Sequence, residues 1–280
     1  MEAKWVKTRD GVGLHYLEGG AGQPLVMVPG WSQSVTAFQR QFADLSQVAR
    51  VIAIDMRGHG QSEKPDHGYR VQRLAKDLFD VIEALDLVEP DLLGHSMGAA
   101  VIWSYLTLFA AEQPPRRLVF VDEPAALLAR PDWDARKLAD TGAIVPSFEA
   151  MAKVVTTARS IADTEAMLEF LGPMFTEAFD GSARLDVARE NLKVPRDHAA
   201  TLPEDNMIQD WTDLIETIRR PTLVFSGGDS HIPSSSQRWI ASVIPDALLE
   251  IIPGDAGGRH FLFLENPDRF NRATTQFLTS

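Results

Sequence analysis

From residue 91 to residue 100 the chain reads Asp91-Leu92-Leu93-Gly94-His95-Ser96-Met97-Gly98-Ala99-Ala100. This pattern predicts a short apolar strand, a sharp turn that carries a serine between two glycines, and a helix that begins near Met97. A side chain at Gly94 or Gly98 would collide with the neighbouring strand or helix in so tight a turn. The free N–H groups at the start of the helix favour negative charge beside Ser96. The stretch therefore predicts an exposed nucleophile next to a site for developing negative charge.

Other apolar runs separated by helical patterns surround this turn, at residues 25–28, 51–54, 117–121, 221–225 and 248–252. Runs that are apolar on both faces are typical of a parallel sheet covered on both sides. We therefore predict an α/β fold with a mostly parallel, twisted sheet and helices on both faces. Alternating residues on either side of Asp10-Gly11 predict that a hairpin opens the fold.

The strand and helix rhythm stops between residues 125 and 215, where the chain is rich in helical patterns and in aromatic and methionine side chains. We interpret this segment as a helical cap inserted into a core formed by residues 1–124 and 216–280. Most of its large side chains are expected to form the cap's own core. Its composition also favours an apolar small molecule as the substrate.

Composition excludes several classes of function. A net charge of -12, without clustered Lys and Arg, argues against a nucleic-acid partner. Without cysteine the chain has no disulfide, thiolate zinc site or cysteine nucleophile. No strand is followed by G-x-G-x-x-G and no metal-ligand cluster has suitable spacing, so neither a cofactor nor a metal is expected. The apolar runs are too short for a membrane partner, and we expect a cytoplasmic protein. Whether it forms a homo-oligomer stays open.

A serine hydroxyl is a poor nucleophile unless a base takes its proton and a third group orients that base. Of seven histidines, His260 is favoured as the base, because it lies in a glycine-rich loop just after the last apolar strand. His95 is expected to shape the elbow or line the pocket. His59, which follows the strand at residues 51–54, could line the entrance.

Two carboxylates compete for the place of the acid. Asp229, at the carboxyl end of the strand at residues 221–225, is favoured, and it gives the expected chain order serine, acid, histidine. Asp122, beside Glu123 at the end of an earlier strand, is the runner-up. For the oxyanion hole we expect the backbone N–H groups of Met97 and Trp31.

Five segments in this order together resemble the α/β-hydrolase superfamily: Leu25 to Trp31, Asp55 to Ser62, Gly94 to Gly98, Gly228 to Pro233 and His260 to Pro267. The resemblance implies a triad of Ser96, His260 and Asp229 with the two oxyanion donors above. One departure is Pro29-Gly30, where the family usually has His-Gly. Asp122-Glu123-Pro124 also resembles relatives, including fungal macrolactone hydrolases, that keep their acid after the earlier strand. Residues expected to contact the substrate are Gly30, Ser32, His95, Trp133, Ile232 and Phe261.

The resemblance implies a cofactor-independent serine hydrolase that cleaves a carboxylic ester or lactone of an apolar small molecule through an acyl-enzyme. Ser96 argues against epoxide hydrolases and dehalogenases, which carry an aspartate at the elbow. Three alternatives stay open on the same fold: a C–C bond hydrolase, a cofactor-free dioxygenase or perhydrolase, and a non-catalytic small-molecule receptor. Fold likeness does not choose between them.

Overall fold

A computed structural model describes residues 1–280 and contains one eight-stranded sheet. The strands are β1 (Glu2–Lys7), β2 (Gly13–Gly19), β3 (Pro24–Val28), β4 (Arg50–Ile54), β5 (Asp91–His95), β6 (Leu118–Val121), β7 (Thr222–Gly227) and β8 (Leu248–Ile252). Their order across the sheet is β1-β2-β4-β3-β5-β6-β7-β8. The pairs β1 with β2 and β2 with β4 are antiparallel, and the other neighbours are parallel. The predicted α/β class and the opening hairpin are confirmed.

Twelve α-helices accompany the sheet: α1 (Gln39–Leu45), α2 (Val71–Ala84), α3 (Met97–Phe109), α4 (Ala135–Thr141), α5 (Phe148–Ser160), α6 (Thr164–Leu171), α7 (Gly181–Asn191), α8 (Arg196–Met207), α9 (Thr212–Ile215), α10 (Ser234–Val243), α11 (Leu262–Glu265) and α12 (Pro267–Thr279). Asn266 caps the first turn of α12, since its side chain accepts a hydrogen bond from the backbone N–H of Arg269 at 3.2 Å. None of these helices combines the length and the apolar character needed to cross a lipid bilayer.

The sheet separates two apolar layers, because successive side chains of a strand point to opposite faces. On one face Val26, Ile52, Leu92, Phe120 and Val224 are buried with side chains of α2, α3 and α10. On the other face Met27, Ala53, Leu93, Val119 and Phe225 are buried with α1, α11 and α12. Strands apolar on both faces therefore occupy the middle of the sheet, as the sequence indicates, and the carboxyl ends of β3, β5, β6 and β7 meet at one edge.

The segment between β6 and β7 is helical and contains α4 to α9. It has a small apolar cluster of its own, in which Val155 and Ala158 of α5 pack with Ala200 and Met207 of α8. Helices α6 and α7 instead contribute Met167, Leu171 and Ala188 to the apolar layer that also contains α1, α11 and α12. The insertion is thus partly self-packed and partly continuous with the core.

Candidate active site

The turn between β5 and α3 places Ser96 above the sheet edge. Ser96 has φ 50° and ψ -131°, a left-handed backbone conformation that is strained for a residue with a side chain. A Cβ on Gly94 would lie 2.5 Å from the carbonyl oxygen of Gly98, and one on Gly98 would lie 2.2 Å from the carbonyl oxygen of Val28. Only glycine fits at these two positions, which is the geometry expected of a nucleophile elbow.

The histidine beside this turn is oriented by Asp122. His260 Nδ1 lies 2.9 Å from Asp122 Oδ2, and both side chains are buried. Asp122 also accepts hydrogen bonds from the backbone N–H of Gly227 (3.0 Å) and from the hydroxyl of Ser230 (2.5 Å). With Nδ1 donating to the carboxylate, His260 Nε2 is the nitrogen that can accept a proton.

The prediction that Asp229 pairs with His260 is wrong. Strand β7 continues through Gly227, whose N–H binds Asp122, and the backbone N–H of Asp229 then donates to the carbonyl of Gly258 at 2.9 Å. The exposed side chain of Asp229 faces a surface cleft and packs over Gly254. The runner-up, Asp122, therefore occupies the place beside the histidine.

The backbone after β3 faces the elbow closely. A Cβ on Gly30 would lie 3.1 Å from both Ser96 Cβ and His95 Nδ1, so the loop that begins there touches the serine. The N–H of Trp31 makes no hydrogen bond within the protein, and Met97, as the first residue of α3, has no intrahelical partner for its N–H. The structure thus brings both predicted donor residues next to Ser96.

A family model described as "Alpha/beta hydrolase family" matches residues 25–273. This chain belongs to the alpha/beta hydrolase family. Non-heme chloroperoxidase CPO-A1 of Kitasatospora aureofaciens is 27% identical over 280 residues, covering 97% of this chain and 98% of its own. The bromoperoxidase from Bacillus anthracis superposes with a TM-score of 0.89 at 22% identity over the whole of both chains. Esterase RhEst1 from Rhodococcus sp. ECU1013 superposes with a TM-score of 0.82 at 27% identity, covering 100% of this chain and 99% of its own.

In this α/β hydrolase His95 supports the site from below and does not face a substrate. Its ring is fully buried, Nε2 lies 2.9 Å from the carbonyl oxygen of His260, and Nδ1 lies 3.1 Å from the amide oxygen of Gln33. Burial lowers the pKa of His95 well below its usual value, so the ring is neutral. The predicted substrate contact is wrong, whereas the predicted shaping of the elbow agrees with these contacts.

His59 holds the loop after β3 and does not line the entrance. It is fully buried, its Nδ1–H donates to the carbonyl of Arg57 at 2.8 Å, and its Nε2 accepts the N–H of Ser32 at 3.2 Å. Burial lowers the pKa of His59 to about 4, which keeps Nε2 available as an acceptor. Ser32 is itself buried with φ 56°, so its predicted substrate contact is wrong and it serves the conformation of the loop.

The indole of Trp31 ties the same loop to the insertion. Its Nε1–H donates to the carbonyl of Ala199 in α8 at 2.6 Å, and its ring meets Phe170 of α6 edge to face, with centroids 5.5 Å apart. The guanidinium of Arg196 lies over the ring, 5.9 Å from its centroid. The insertion is therefore anchored directly beside the predicted oxyanion hole.

Three further predicted contact residues, Ile232, Phe261 and Trp133, lie in three different surroundings. Ile232 is buried two residues beyond Ser230, the hydrogen-bond partner of Asp122. Phe261 is buried against Phe175 with ring centroids 4.4 Å apart, so it belongs to the core and its predicted substrate contact is wrong. Trp133 lies at the start of the insertion, where Arg130 and Lys137 flank its ring. These contacts of Trp133 do not bring it to Ser96.

A second buried carboxyl group stands at the site. Glu123 follows Asp122, is 3% exposed, and accepts a hydrogen bond from the side-chain amide of Asn206 in α8 at 3.0 Å. Ser96 lies close by, because its backbone N–H donates to the carbonyl of Val121, two residues before Glu123, at 2.9 Å. The sequence places Glu123 at the right strand end, but no pattern in the insertion marks Asn206 as its partner.

Proposed function

We propose that this α/β hydrolase is a cofactor-independent serine hydrolase that cleaves a carboxylic ester or lactone of an apolar small molecule through an acyl-enzyme. The observation that carries the proposal is the buried His260–Asp122 pair beside the strained Ser96 turn. The pair supplies the base and the acid that orients it, and the turn raises the serine nucleophile above the sheet. Acyl transfer requires all three groups. The catalytic roles are therefore assigned to Ser96, His260 and Asp122.

In the proposed reaction Ser96 Oγ attacks the carbonyl carbon while His260 Nε2 takes the hydroxyl proton. Asp122 accepts the Nδ1–H and stabilises the imidazolium. The N–H groups of Trp31 and Met97 bind the oxyanion, and loss of one such donor costs about a hundred- to a thousandfold in kcat. The imidazolium then protonates the leaving oxygen. Water, activated by His260, releases the acid from the serine.

Ester hydrolysis is favoured over the alternatives by the esterase at 27% identity that aligns along its whole length. The apolar character of the substrate is supported by the contact of Trp31 with Phe170 at the junction of insertion and core. A C–C bond hydrolase would use the same triad, so substrate tests must separate the two.

The proposal is tested by stopped-flow release assays on a panel of aryl esters and of small and large lactones. We expect a burst of alcohol release equal to the enzyme concentration, followed by slower turnover, and no burst in Ser96→Ala. A diketone substrate in the panel separates C–C bond hydrolysis. Turnover that survives Ser96→Ala would contradict the proposal and favour a histidine-acid dioxygenase.

Perhydrolysis is a second candidate, because the chloroperoxidase relative aligns along nearly the entire chain. Hydrogen peroxide would then replace water, and the acyl group would pass from Ser96 Oγ to a peroxide oxygen while His260 takes the peroxide proton. The product is a peroxycarboxylic acid. Adding hydrogen peroxide to the ester assay and measuring peracid against carboxylic acid decides between the two acceptors.

A further inference from the structure

Glu123 and Asn206 form a polar cluster beside the nucleophile that the triad does not use. Asn206 Nδ2 donates to Glu123 Oε1, and the backbone carbonyl of Glu123 accepts a hydrogen bond from Gln237 Nε2 of α10 at 2.8 Å. Asn206 Oδ1 is buried and has no hydrogen-bond partner. A buried acceptor without a partner is costly, so Asn206 Oδ1 is open to a further hydrogen-bond donor.

The protonation state of Glu123 decides what it can bind. Burial raises the pKa of Glu123 to about 8, and the negative charge of Asp122 adds to the effect, whereas the hydrogen bond from Asn206 opposes it. Asp122 is the one charged group that acts on Glu123 from the elements around it; α8 and α10 present the amides of Asn206 and Gln237. Near neutral pH Glu123 is therefore a carboxylic acid with an O–H to donate.

We propose that Glu123 and Asn206 form a subsite that binds an uncharged hydroxyl group on the acyl part of the substrate. The inference rests on the proposed ester or lactone hydrolysis and names its substrate class. A hydroxyl group can accept a hydrogen bond from the Glu123 O–H and donate one to Asn206 Oδ1, so a single substrate group pairs with both side chains. A carboxylate in the substrate would lie near the negative charge of Asp122, and this repulsion favours an uncharged group.

The position of the acyl substituent follows from the positions that the other two groups on the scissile carbonyl must take around Ser96. The oxyanion points to Trp31 and Met97, and the leaving oxygen points to His260, which must protonate it. The acyl substituent is left to face the third side, where the buried Glu123 lies two residues beyond Val121, whose carbonyl accepts the backbone N–H of Ser96 at 2.9 Å. The hydroxyl therefore belongs on a carbon one or two bonds from the scissile carbonyl.

The test measures kcat/KM for phenyl esters of 2- and 3-hydroxybutanoic acid against their isosteric 2- and 3-methyl analogues. We expect the parent enzyme to favour a hydroxy ester by about ten- to a hundredfold. Glu123→Leu and Asn206→Leu should bring this ratio near one while the methyl esters are still hydrolysed. Asn271→Leu is the matched control, because Asn271 is a buried asparagine of α12 whose Oδ1 is also unpaired.

A pH series separates hydrogen bonding from a merely structural role. In the parent the hydroxy preference should fall above pH 8, where Glu123 ionises and loses its O–H. Glu123→Gln keeps an uncharged donor and should give a preference that does not change over this range. Because glutamine has nearly the same shape as glutamate, this variant still tests the hydrogen bond if the leucine variants fail to fold.

Four outcomes overturn the inference while leaving ester hydrolysis intact: a parent ratio near one, an unchanged ratio in Glu123→Leu, a preference for 3-aminobutanoate, or a preference for a hydroxyl on the alcohol half. The last is measured with 2-hydroxyethyl and propyl benzoate. Failure to hydrolyse any ester or lactone would instead overturn the proposed function, and the inference with it.

Discussion

At the level of single residues, the proposed catalysis depends on which carboxylate orients His260. Asp122 touches Nδ1, whereas Asp229 is exposed and bonded to the Gly258 loop only through its backbone. We expect Asp122→Asn to lower kcat by about a thousand- to ten-thousandfold, because an amide can favour the wrong tautomer of the histidine.

Steady-state kinetics on an aryl ester measure this effect, with Asp229→Asn as the matched control. The control should stay within about twofold of the parent, since its exposed side chain makes no contact with the site. Equal losses in the two variants would show that Asp122 has no special role.

The buried carboxyl of Glu123 leads to a second prediction, which concerns how the free energy of unfolding changes with pH. Its pKa is raised by burial from 4.5 to about 8, so the folded protein binds a proton that the unfolded chain releases between those values. The free energy of unfolding should therefore fall as pH rises from about 4.5 to 8, by an amount on the order of a few kcal/mol, and then level off.

Urea unfolding at pH 5, 7 and 8.5 measures this dependence in the parent and in Glu123→Gln. The glutamine variant lacks the titrating group, so its stability relative to the parent should increase with pH. Parallel pH dependence of the two proteins would show that Glu123 is ionised in the folded state.

The strained turn at Ser96 and the position of His260 could be predicted from the sequence, because the glycine spacing and the strand-end position are local signals. The acid was predicted wrongly, because Asp122 and Asp229 both follow parallel strands and both fit the local pattern. The decision depends on how far β7 extends and on the hydrogen bond from Gly227 to Asp122. Such long-range contacts leave no mark in either segment.

At the scale of elements, the turn between β5 and α3 tolerates no side chain at Gly98. A Cβ there would lie 2.2 Å from the carbonyl oxygen of Val28 and 2.7 Å from that of Pro29, so β3 and α3 would have to separate. We expect Gly98→Ala to lower the free energy of unfolding by about 3 kcal/mol or more.

Thermal and urea unfolding test this expectation, with Gly181→Ala as the control. Gly181 begins α7 and has no atom within 4 Å of an added Cβ, so its variant should differ from the parent by about 0.5 kcal/mol or less. Comparable stability of the two variants would mean that α3 does not press against β3 as described.

The elements themselves were largely predictable, because strands apolar on both faces and amphipathic helices follow local periodicity. The predicted hairpin and the predicted start of α3 near Met97 agree with the structure. The division of the insertion was not predictable. Helices α5 and α8 share one cluster while α6 and α7 join the other core, and all four have similar apolar content.

At the scale of the whole molecule, one carboxylate joins the insertion to the core. Asp205 of α8 accepts the N–H of Val71 at 2.8 Å and pairs with Arg70 at 3.1 Å, so it caps α2, which has no side-chain cap of its own. We expect Asp205→Ala to lower the free energy of unfolding by about 1 to 3 kcal/mol and to expose the insertion to proteases.

Asp197→Ala serves as the control from the same helix. Its side chain is exposed and pairs with the exposed Arg159, so its removal should cost about 0.5 kcal/mol or less. Urea unfolding and limited proteolysis measure both variants. An equal protease sensitivity in the two would contradict the role of Asp205 in holding the insertion.

Helix α8 of the insertion makes two hydrogen bonds next to the site. The side-chain amide of Asn206 donates to Glu123, and the carbonyl of Ala199 accepts the indole N–H of Trp31. Neither contact could be predicted from the sequence, because both join segments more than eighty residues apart. In the proposed reaction, substrate selectivity would depend on these contacts, whereas the reaction type would depend on the locally encoded elbow.

Intact-protein mass spectrometry tests most directly whether Ser96 becomes acylated with the help of His260 and Asp122. The reaction is run with an aryl ester whose acyl group leaves the enzyme slowly, and it is quenched with acid. We predict one acyl group per chain, mapped by peptide analysis to Ser96, absent from Ser96→Ala and strongly reduced in His260→Ala. Turnover of the ester without a covalent adduct, or with an adduct on another residue, would contradict the account.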